Sequence, residues 1–250
     1  MLFRSRPSAF LCTSATRPKA RSAPETGVPR LSPFVGYAQK GLQAGFTMSS
    51  ATFVPVGGGD VSINDIVPNG DSVAEGTVNI QTLDGFGRTT ATYVYMGADM
   101  FDDGYPAGWY DDDGLADVRF SIGTGLWIAA PDSETSLTFS GKVPTDDVLI
   151  TLRSGFTATA NMMPTDVSLQ DIVATGALVD EGAVNIQTLD AFGRTTATYI
   201  YMGADMFDDG YPAGWYDDEG LANVTFPAGT GLWVAALDSE TSITIPAPEL

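Results

Sequence analysis

The chain contains twice the stretch VNIQTLDGFGRTTATYVYMGADMFDDGYPAGWYDDDGLADVRFSIGTGLWIAA, at residues 78–130 and, with small changes, at residues 184–236, an offset of 106. Over the 59 positions 78–136 the two copies differ at nine, so 50 are identical. A repeat this close predicts two copies of one structural unit. We expect a first β module at residues 34–143 and a second at residues 144–250.

Three differences between the copies exchange apolar side chains of similar volume, which a packed interior tolerates best. We therefore expect these positions to face a core. In the turn after residue 83, Gly85 is replaced by Ala191 whereas Gly87 is kept as Gly193. Gly87 is thus the better candidate for a left-handed backbone, which glycine adopts freely. The three apolar pairs are Val94 and Ile200, Ile128 and Val234, and Leu137 and Ile243.

Short strands dominate the expected secondary structure. Residues 78–83 and 89–96 alternate with period two and are rich in Thr, Val, Ile and Tyr, which predicts a hairpin. Further strands are expected at 116–120, 125–130 and 135–141. About seven strands per copy, without a helical period, indicate an all-β fold of two tandem homologous sandwich- or barrel-like modules. Trp127 and Trp233 lie in apolar strands, and we expect them in the interior.

Charge and rare residues exclude several kinds of function. The net charge is −19, and six of the 12 basic residues lie in the first 30 positions, together with one acid. The remainder therefore holds six basic and 30 acidic side chains, a net charge of −24. Such a surface repels nucleic acid. The body contains no Cys or His, which excludes disulfides, thiol catalysis and ordinary zinc sites there. No apolar run approaches the ~18 residues of a membrane span.

Residues 1–33 differ in composition from the rest. They are rich in Arg, Ser and Pro and contain no apolar segment like that of a secretory signal. Residues 2–5 (LFRS) are what a common sequencing-adapter end encodes in one frame. We expect a disordered or artefactual leader here, in place of the natural N-terminus.

Several short motifs resemble a known group of proteins. Residues 35–37 read VGY, residues 45–48 read GFTM, and GTGLW[IV] occurs at 123–128 and 229–234. In this pattern the chain resembles uncharacterised secreted or surface β-repeat proteins of environmental bacteria. The resemblance implies an all-β protein of the cell exterior with no assigned reaction. Since those relatives carry a signal peptide, we expect that the true one is missing from this chain.

An acidic loop is expected at residues 97–115 and again in the second copy. Clustered carboxylates on a glycine-bearing loop could supply the six to eight oxygens that calcium prefers. The acids are contiguous and do not match an EF-hand. A solvated acidic loop is the alternative interpretation. The candidate calcium ligands are Asp99, Asp102, Asp103, Asp111, Asp112, Asp113, Asp205, Asp208, Asp209, Asp217, Asp218 and Glu219.

Aromatic side chains interleave with these acids and suggest carbohydrate binding. A ring could stack on a sugar face while carboxylates accept hydroxyl hydrogen bonds; alternatively, a tryptophan could fold back and cover the sheet. The candidate ligand-binding residues are Tyr105, Trp109, Tyr110, Tyr211, Trp215 and Tyr216.

A glycosidase would need two carboxylates at a defined separation in a cleft, and a small duplicated module is a poor place for one. The sequence therefore favours a non-enzymatic secreted or cell-surface structural or adhesion-type repeat protein, stiffened by calcium. The alternative is a carbohydrate-binding module that uses the loop aromatics. Glycans and other surface proteins are the expected partners, and the two modules are expected to pack on each other.

Overall fold

A computed structural model describes residues 35–71, 73–99, 104–204 and 210–248, and these belong to one compact unit. The described residues are 51% strand and 4% helical, which confirms the expected all-β fold. The expected leader at residues 1–33 lies outside the described residues. No helix in the described ranges is long and apolar enough to cross a membrane.

Strands of the N-terminal half are β1 (Val35–Gly41), β2 (Gly45–Ser50), β3 (Val61–Ser62), β4 (Val67–Asn69), β5 (Glu75–Leu83), β6 (Thr89–Met96), β7 (Gly108–Asp111), β8 (Gly114–Leu115), β9 (Arg119–Phe120), β10 (Gly125–Ala130) and β11 (Ser136–Lys142). Those of the C-terminal half are β12 (Val148–Thr151), β13 (Gly155–Ala160), β14 (Val167–Ser168), β15 (Val173–Thr175), β16 (Val184–Leu189), β17 (Thr195–Met202), β18 (Gly214–Asp217), β19 (Gly220–Leu221), β20 (Thr225–Phe226), β21 (Gly231–Ala236) and β22 (Ser242–Ile245). Short 3-10 helices lie at Ile63–Asp65, Leu169–Asp171 and Val179–Glu181.

The small sheets lie in a ring, in a propeller-like arrangement. In the N-terminal half their strand orders are β1-β11-β4, β2-β10-β5-β6-β7-β8 and β3-β9. The C-terminal half repeats these sheets as β12-β22-β15, β13-β21-β16-β17-β18-β19 and β14-β20. Each of these sheets takes its strands from one half, and neighbouring strands such as β2 and β10, or β13 and β21, pair antiparallel. The division into two tandem sandwich- or barrel-like modules stays a prediction.

Each half has a hydrophobic cluster of its own. Ile128 and Leu137, with their counterparts in the second copy, are fully buried, so two of the three expected core positions are confirmed. The third expectation is wrong, since Val94 is only half-buried. Its neighbour Tyr93 is 7% exposed and belongs to the cluster. Successive residues of a strand point to opposite faces, so Val94 faces away from this core.

The hairpin β5–β6 forms where the sequence predicts it. Gly87 has φ +76° and Gly193 has φ +75°, so the second glycine of the turn takes the left-handed conformation. Backbone N–H groups of Phe86 and Arg88 donate to Oδ1 of Asp84 at 2.8 and 2.9 Å. These bonds, chiefly that from Arg88, lower the pKa of Asp84. The carboxylate thus holds the turn.

The two halves contact each other through equivalent backbone groups. The N–H of Phe46 donates to the carbonyl of Ala191 at 3.1 Å, and that of Phe156 donates to the carbonyl of Gly85 at 2.9 Å. Strand β2 of one half also contacts strand β13 of the other, although the two belong to different sheets. The turn of each hairpin is therefore anchored on the opposite half, as expected for a pseudo-two-fold arrangement of two similar units.

The same symmetry recurs in the hydroxyl contacts of these strands. The hydroxyl of Ser49 donates to the carbonyl of Gly229 at 3.1 Å, and that of Thr159 donates to the carbonyl of Gly123 at 2.8 Å. Both hydroxyls are fully buried. The contact between the halves is thus a specific, hydrogen-bonded one.

Candidate functional site

The segment expected to be an acidic loop is partly a hairpin, because β7 and β8 are the last two strands of the six-stranded sheet. The reason is Trp109, which is 1% exposed and whose indole N–H donates to the carbonyl of Ile66 at 2.9 Å. Burying this ring draws residues 108–111 onto the sheet edge. Trp215 is equally buried and bonds the carbonyl of Ile172 at 2.7 Å.

These two tryptophans therefore cover the sheet and present no ring face to a ligand. Each meets a tyrosine of the neighbouring strand edge-on, at 5.3 Å between ring centroids. The hydroxyl of Tyr110 donates to the carbonyl of Pro106 at 2.6 Å, and Tyr216 repeats the contact with Pro212 at 2.5 Å. The remaining candidates, Tyr105 and Tyr211, are 60% and 58% exposed.

The described acids of the hairpin cap their own turns. Oδ1 of Asp111 accepts the N–H of Asp113 at 3.0 Å, and Asp217 accepts that of Glu219 at 2.9 Å. Asp99 has φ +56° and accepts the N–H of Gly104 at 2.8 Å. Asp112 and Asp218 are exposed at the same tips.

The structure does not gather these carboxylates around a common point. Within the described ranges no three Asp, Glu, His or Cys side chains are placed to hold a metal ion. The calcium site stays a prediction, because five of its expected ligands lie outside the described residues. These are Asp102, Asp103, Asp205, Asp208 and Asp209.

A groove between the two halves is the site that sequence reasoning missed. It has a volume of about 380 Å³, within the range of small-molecule sites. The two halves contribute the same five positions, and Phe156 adds a sixth contact from the second half. The lining residues are Gln81, Leu83, Gly87, Thr89, Trp127, Phe156, Gln187, Leu189, Gly193, Thr195 and Trp233.

Strand register explains why these side chains meet. Gln81 lies directly opposite Trp127 on the adjacent strand, so both project from one face of the sheet. The other face carries Leu126 and Ile128, which are fully buried. The same arrangement in the second half turns Gln187 and Trp233 toward the groove.

Trp127 and Trp233 belong to neither hydrophobic cluster; the expected core position is wrong for Trp127, whereas Trp233 is buried as expected. Trp127 is half-buried and Trp233 is 9% exposed. Each ring stacks on a phenylalanine at 5.2 Å, Phe46 and Phe156 respectively. Alternation with Leu126 and Ile128 was the sequence signal that could have placed Trp127 on the second face.

The amides of the groove are held by neighbouring side chains. The hydroxyl of Thr89 donates to Oε1 of Gln81 at 3.0 Å, and Nε2 of Gln81 donates to Asn79 at 3.1 Å. In the second half the corresponding distances are both 3.0 Å. An amide nitrogen carries two N–H groups and its oxygen two lone pairs, so the bonds to described residues leave each glutamine one donor and one acceptor for a ligand.

Lys40 is a half-buried cation at the same contact, and burial lowers its pKa. The side chain of Lys40 approaches Gly229 of the other half. In the second copy Ile150 takes the equivalent place and lies against Gly123 of the first. The groove itself is lined by uncharged side chains. It can therefore bind neutral polar molecules by hydrogen bonds and apolar contact.

No family model, curated protein or solved structure matches this chain.

Proposed function

We propose that the chain is a non-enzymatic structural or adhesion-type repeat protein of the cell exterior. The observation that carries the proposal is the reciprocal anchoring of the hairpin turns, at Ala191 for Phe46 and at Gly85 for Phe156. Backbone and buried-hydroxyl bonds between the halves resist their separation. A duplicated unit fixed in this way suits a load-bearing or spacing role.

The surface chemistry and the sequence resemblance support an exterior location. The net charge of −19 suits surroundings rich in cations, where screening reduces self-repulsion. Antibodies raised against the purified chain test this location on intact and on permeabilised cells of the source. Labelling of intact cells, or recovery of the chain from the medium, supports the proposal. Labelling that requires permeabilisation contradicts it.

Calcium stiffening of the acidic hairpins is part of this proposal. The test is a thermal melt of the full chain in EDTA, in ~1 mM calcium and in ~1 mM magnesium. This concentration matches the Kd of extracellular calcium sites. We expect a rise in Tm with calcium alone, which disappears when Asp111, Asp112 and Asp113 are changed to Asn together with their second-copy equivalents.

The matched control changes six acids outside the hairpins to Asn: Asp60, Asp65, Asp71, Asp146, Asp166 and Asp171. These side chains are exposed, so the control removes similar charge without touching the hairpins. A calcium-dependent rise that persists in the hairpin variant, or that is absent from the natural chain, rules out calcium binding there.

Carbohydrate binding by the loop aromatics is the second candidate function. The observation in its favour is the exposure of Tyr105 and Tyr211, at 60% and 58%. Stacking of a sugar on these rings predicts that Tyr105→Ala with Tyr211→Ala abolishes retention on polysaccharide columns. Retention that is unchanged in the double variant excludes the loop as the sugar site.

A further inference from the structure

We propose that the groove between the halves is a binding site for one neutral mono- or disaccharide. The site is distinct from the acidic hairpins and from the exposed tyrosines on them. It goes beyond the structural role proposed above, because a rigid pair of repeats needs no ligand. Failure of this inference would therefore leave the structural role intact.

The lining chemistry selects a neutral ligand. The chain has 31 acidic and 12 basic residues, yet the described residues that line the groove are all Gln, Thr, Leu, Gly, Trp or Phe. An ion placed there would lose hydration without gaining an opposite charge, which is costly. Sugars carry hydroxyl groups that both donate and accept, and C–H faces that are apolar.

Polar groups of the groove are positioned before any ligand arrives. Thr89 and Asn79 each hold one end of the Gln81 amide, at 3.0 and 3.1 Å. Gln187 is held in the same way, at 3.0 Å from both of its partners. Fixed rotamers reduce the entropy lost when the ligand binds. The free donor and acceptor of each amide match a pair of adjacent sugar hydroxyls.

The apolar part of the groove consists of two indoles and two leucines. Phe46 and Phe156 each stack on one indole at 5.2 Å, which keeps both rings in place. Gly87 faces Trp233 and Gly193 faces Trp127, where a Cβ would lie 3.3 and 3.4 Å from the ring edge. Because these residues lack a Cβ, the turn of each half lies against the indole of the other half without displacing it.

The pseudo-two-fold relation sets the stoichiometry. Each half supplies the same five positions to a single groove of about 380 Å³, to which the second half adds Phe156, so one ligand is expected per chain. Because the halves are equivalent, loss of the amide from either half should weaken binding by a similar factor.

Titration of the full chain with glucose, galactose, cellobiose, maltose, lactose and diacetylchitobiose, followed by tryptophan fluorescence and calorimetry, tests the inference. We expect at least one of these sugars to bind with a stoichiometry of one and a Kd in the millimolar range, about −4 kcal/mol. Gln81→Ala and Gln187→Ala should each weaken binding several-fold, and the double variant at least tenfold.

Thr188→Ala is the matched control, since Thr188 neighbours Gln187 on the same strand but does not line the groove. It should leave the affinity unchanged, and equal Tm values for all variants would show that they fold. Three results would overturn the inference: no binding of any of these sugars at ~10 mM, equal loss in the control, or tighter binding of cellobionate or another charged sugar.

Discussion

The contact between the halves predicts a large effect of adding one methyl group at Gly231. A Cβ built there lies 2.4 Å from the Cβ and 2.4 Å from the carbonyl oxygen of Met48, in the opposite half. Non-bonded carbon atoms prefer about 3.5–4.0 Å, so the strands would have to separate by more than 1 Å. Strand β21 is paired on both sides, by β13 and β16, and cannot shift alone.

We therefore expect Gly231→Ala to lower the free energy of unfolding by about 1–3 kcal/mol, the usual cost of overpacking. Gly125→Ala should cost a similar amount, because its Cβ would lie 2.4 Å from the carbonyl carbon of Ala158. The control is Gly41→Ala, where nothing lies within 4 Å of the added atom. It should be neutral, or stabilising by about 0.4–1 kcal/mol through the unfolded chain.

Urea denaturation followed by circular dichroism measures these differences. In thermal melts of the same variants, each kcal/mol of lost stability corresponds to a fall in Tm of about 2–4 °C in a domain of this size. If Gly231→Ala unfolds at the same urea concentration as Gly41→Ala, the close approach of the halves is refuted, and with it the reasoning from their contact.

Three further predictions follow from comparing the copies and from the pKa shifts. Ser50 Oγ is buried and has no hydrogen-bond partner among the described residues, and Ala160 occupies its place in the second copy. Ser50→Ala should therefore stabilise the chain by about 1 kcal/mol in urea titrations; a loss would mean that the hydroxyl is satisfied. Burial lowers the pKa of Lys40 below 10.5, so the folded state binds this proton more weakly than the unfolded state. The charged Lys40 therefore lowers the free energy of unfolding at neutral pH, and this penalty shrinks as pH rises towards 10.5. Lys40→Ile, which introduces the residue found at position 150 of the second copy, should raise Tm at neutral pH and lose this advantage in alkali. Asp84 has a pKa below 3.8, so its contribution is present above that pH and is lost as pH falls through the folded value. Asp84→Ala should lower Tm at neutral pH, with a difference from the natural chain that narrows in acid; a constant difference would contradict the assignment.

Local features were predictable where neighbouring residues decide them. The hairpin of β5 and β6 follows from period-two alternation, and the exchange of Gly85 identified Gly87 as the left-handed residue. Ile128 and Leu137 were correctly placed in the core because their counterparts in the other copy are apolar side chains of similar volume, the exchange that a core tolerates best. The same argument failed at Val94, since a half-buried position tolerates Ile as well as a core does.

The acidic segment was harder to interpret, because its composition is that of a loop. Trp109 decides the matter by entering the core and bonding the carbonyl of Ile66, which is 43 positions away in sequence. That contact turns residues 108–111 into a strand. A pattern of nearby residues contains no information about such a partner.

The sequence by itself determined that the chain is all-β and that its two copies fold alike, because alternation and near-identity act within each copy. The tertiary structure alone decided what covers the second face of each large sheet. Ser49 and Gly229, 180 positions apart, meet at this contact, and so do Trp127 and Gly193. Alternation separates a strand's two faces, but it does not say whether water or another sheet covers the second one. The groove exists because a sheet of the other half, and not water alone, covers this second face.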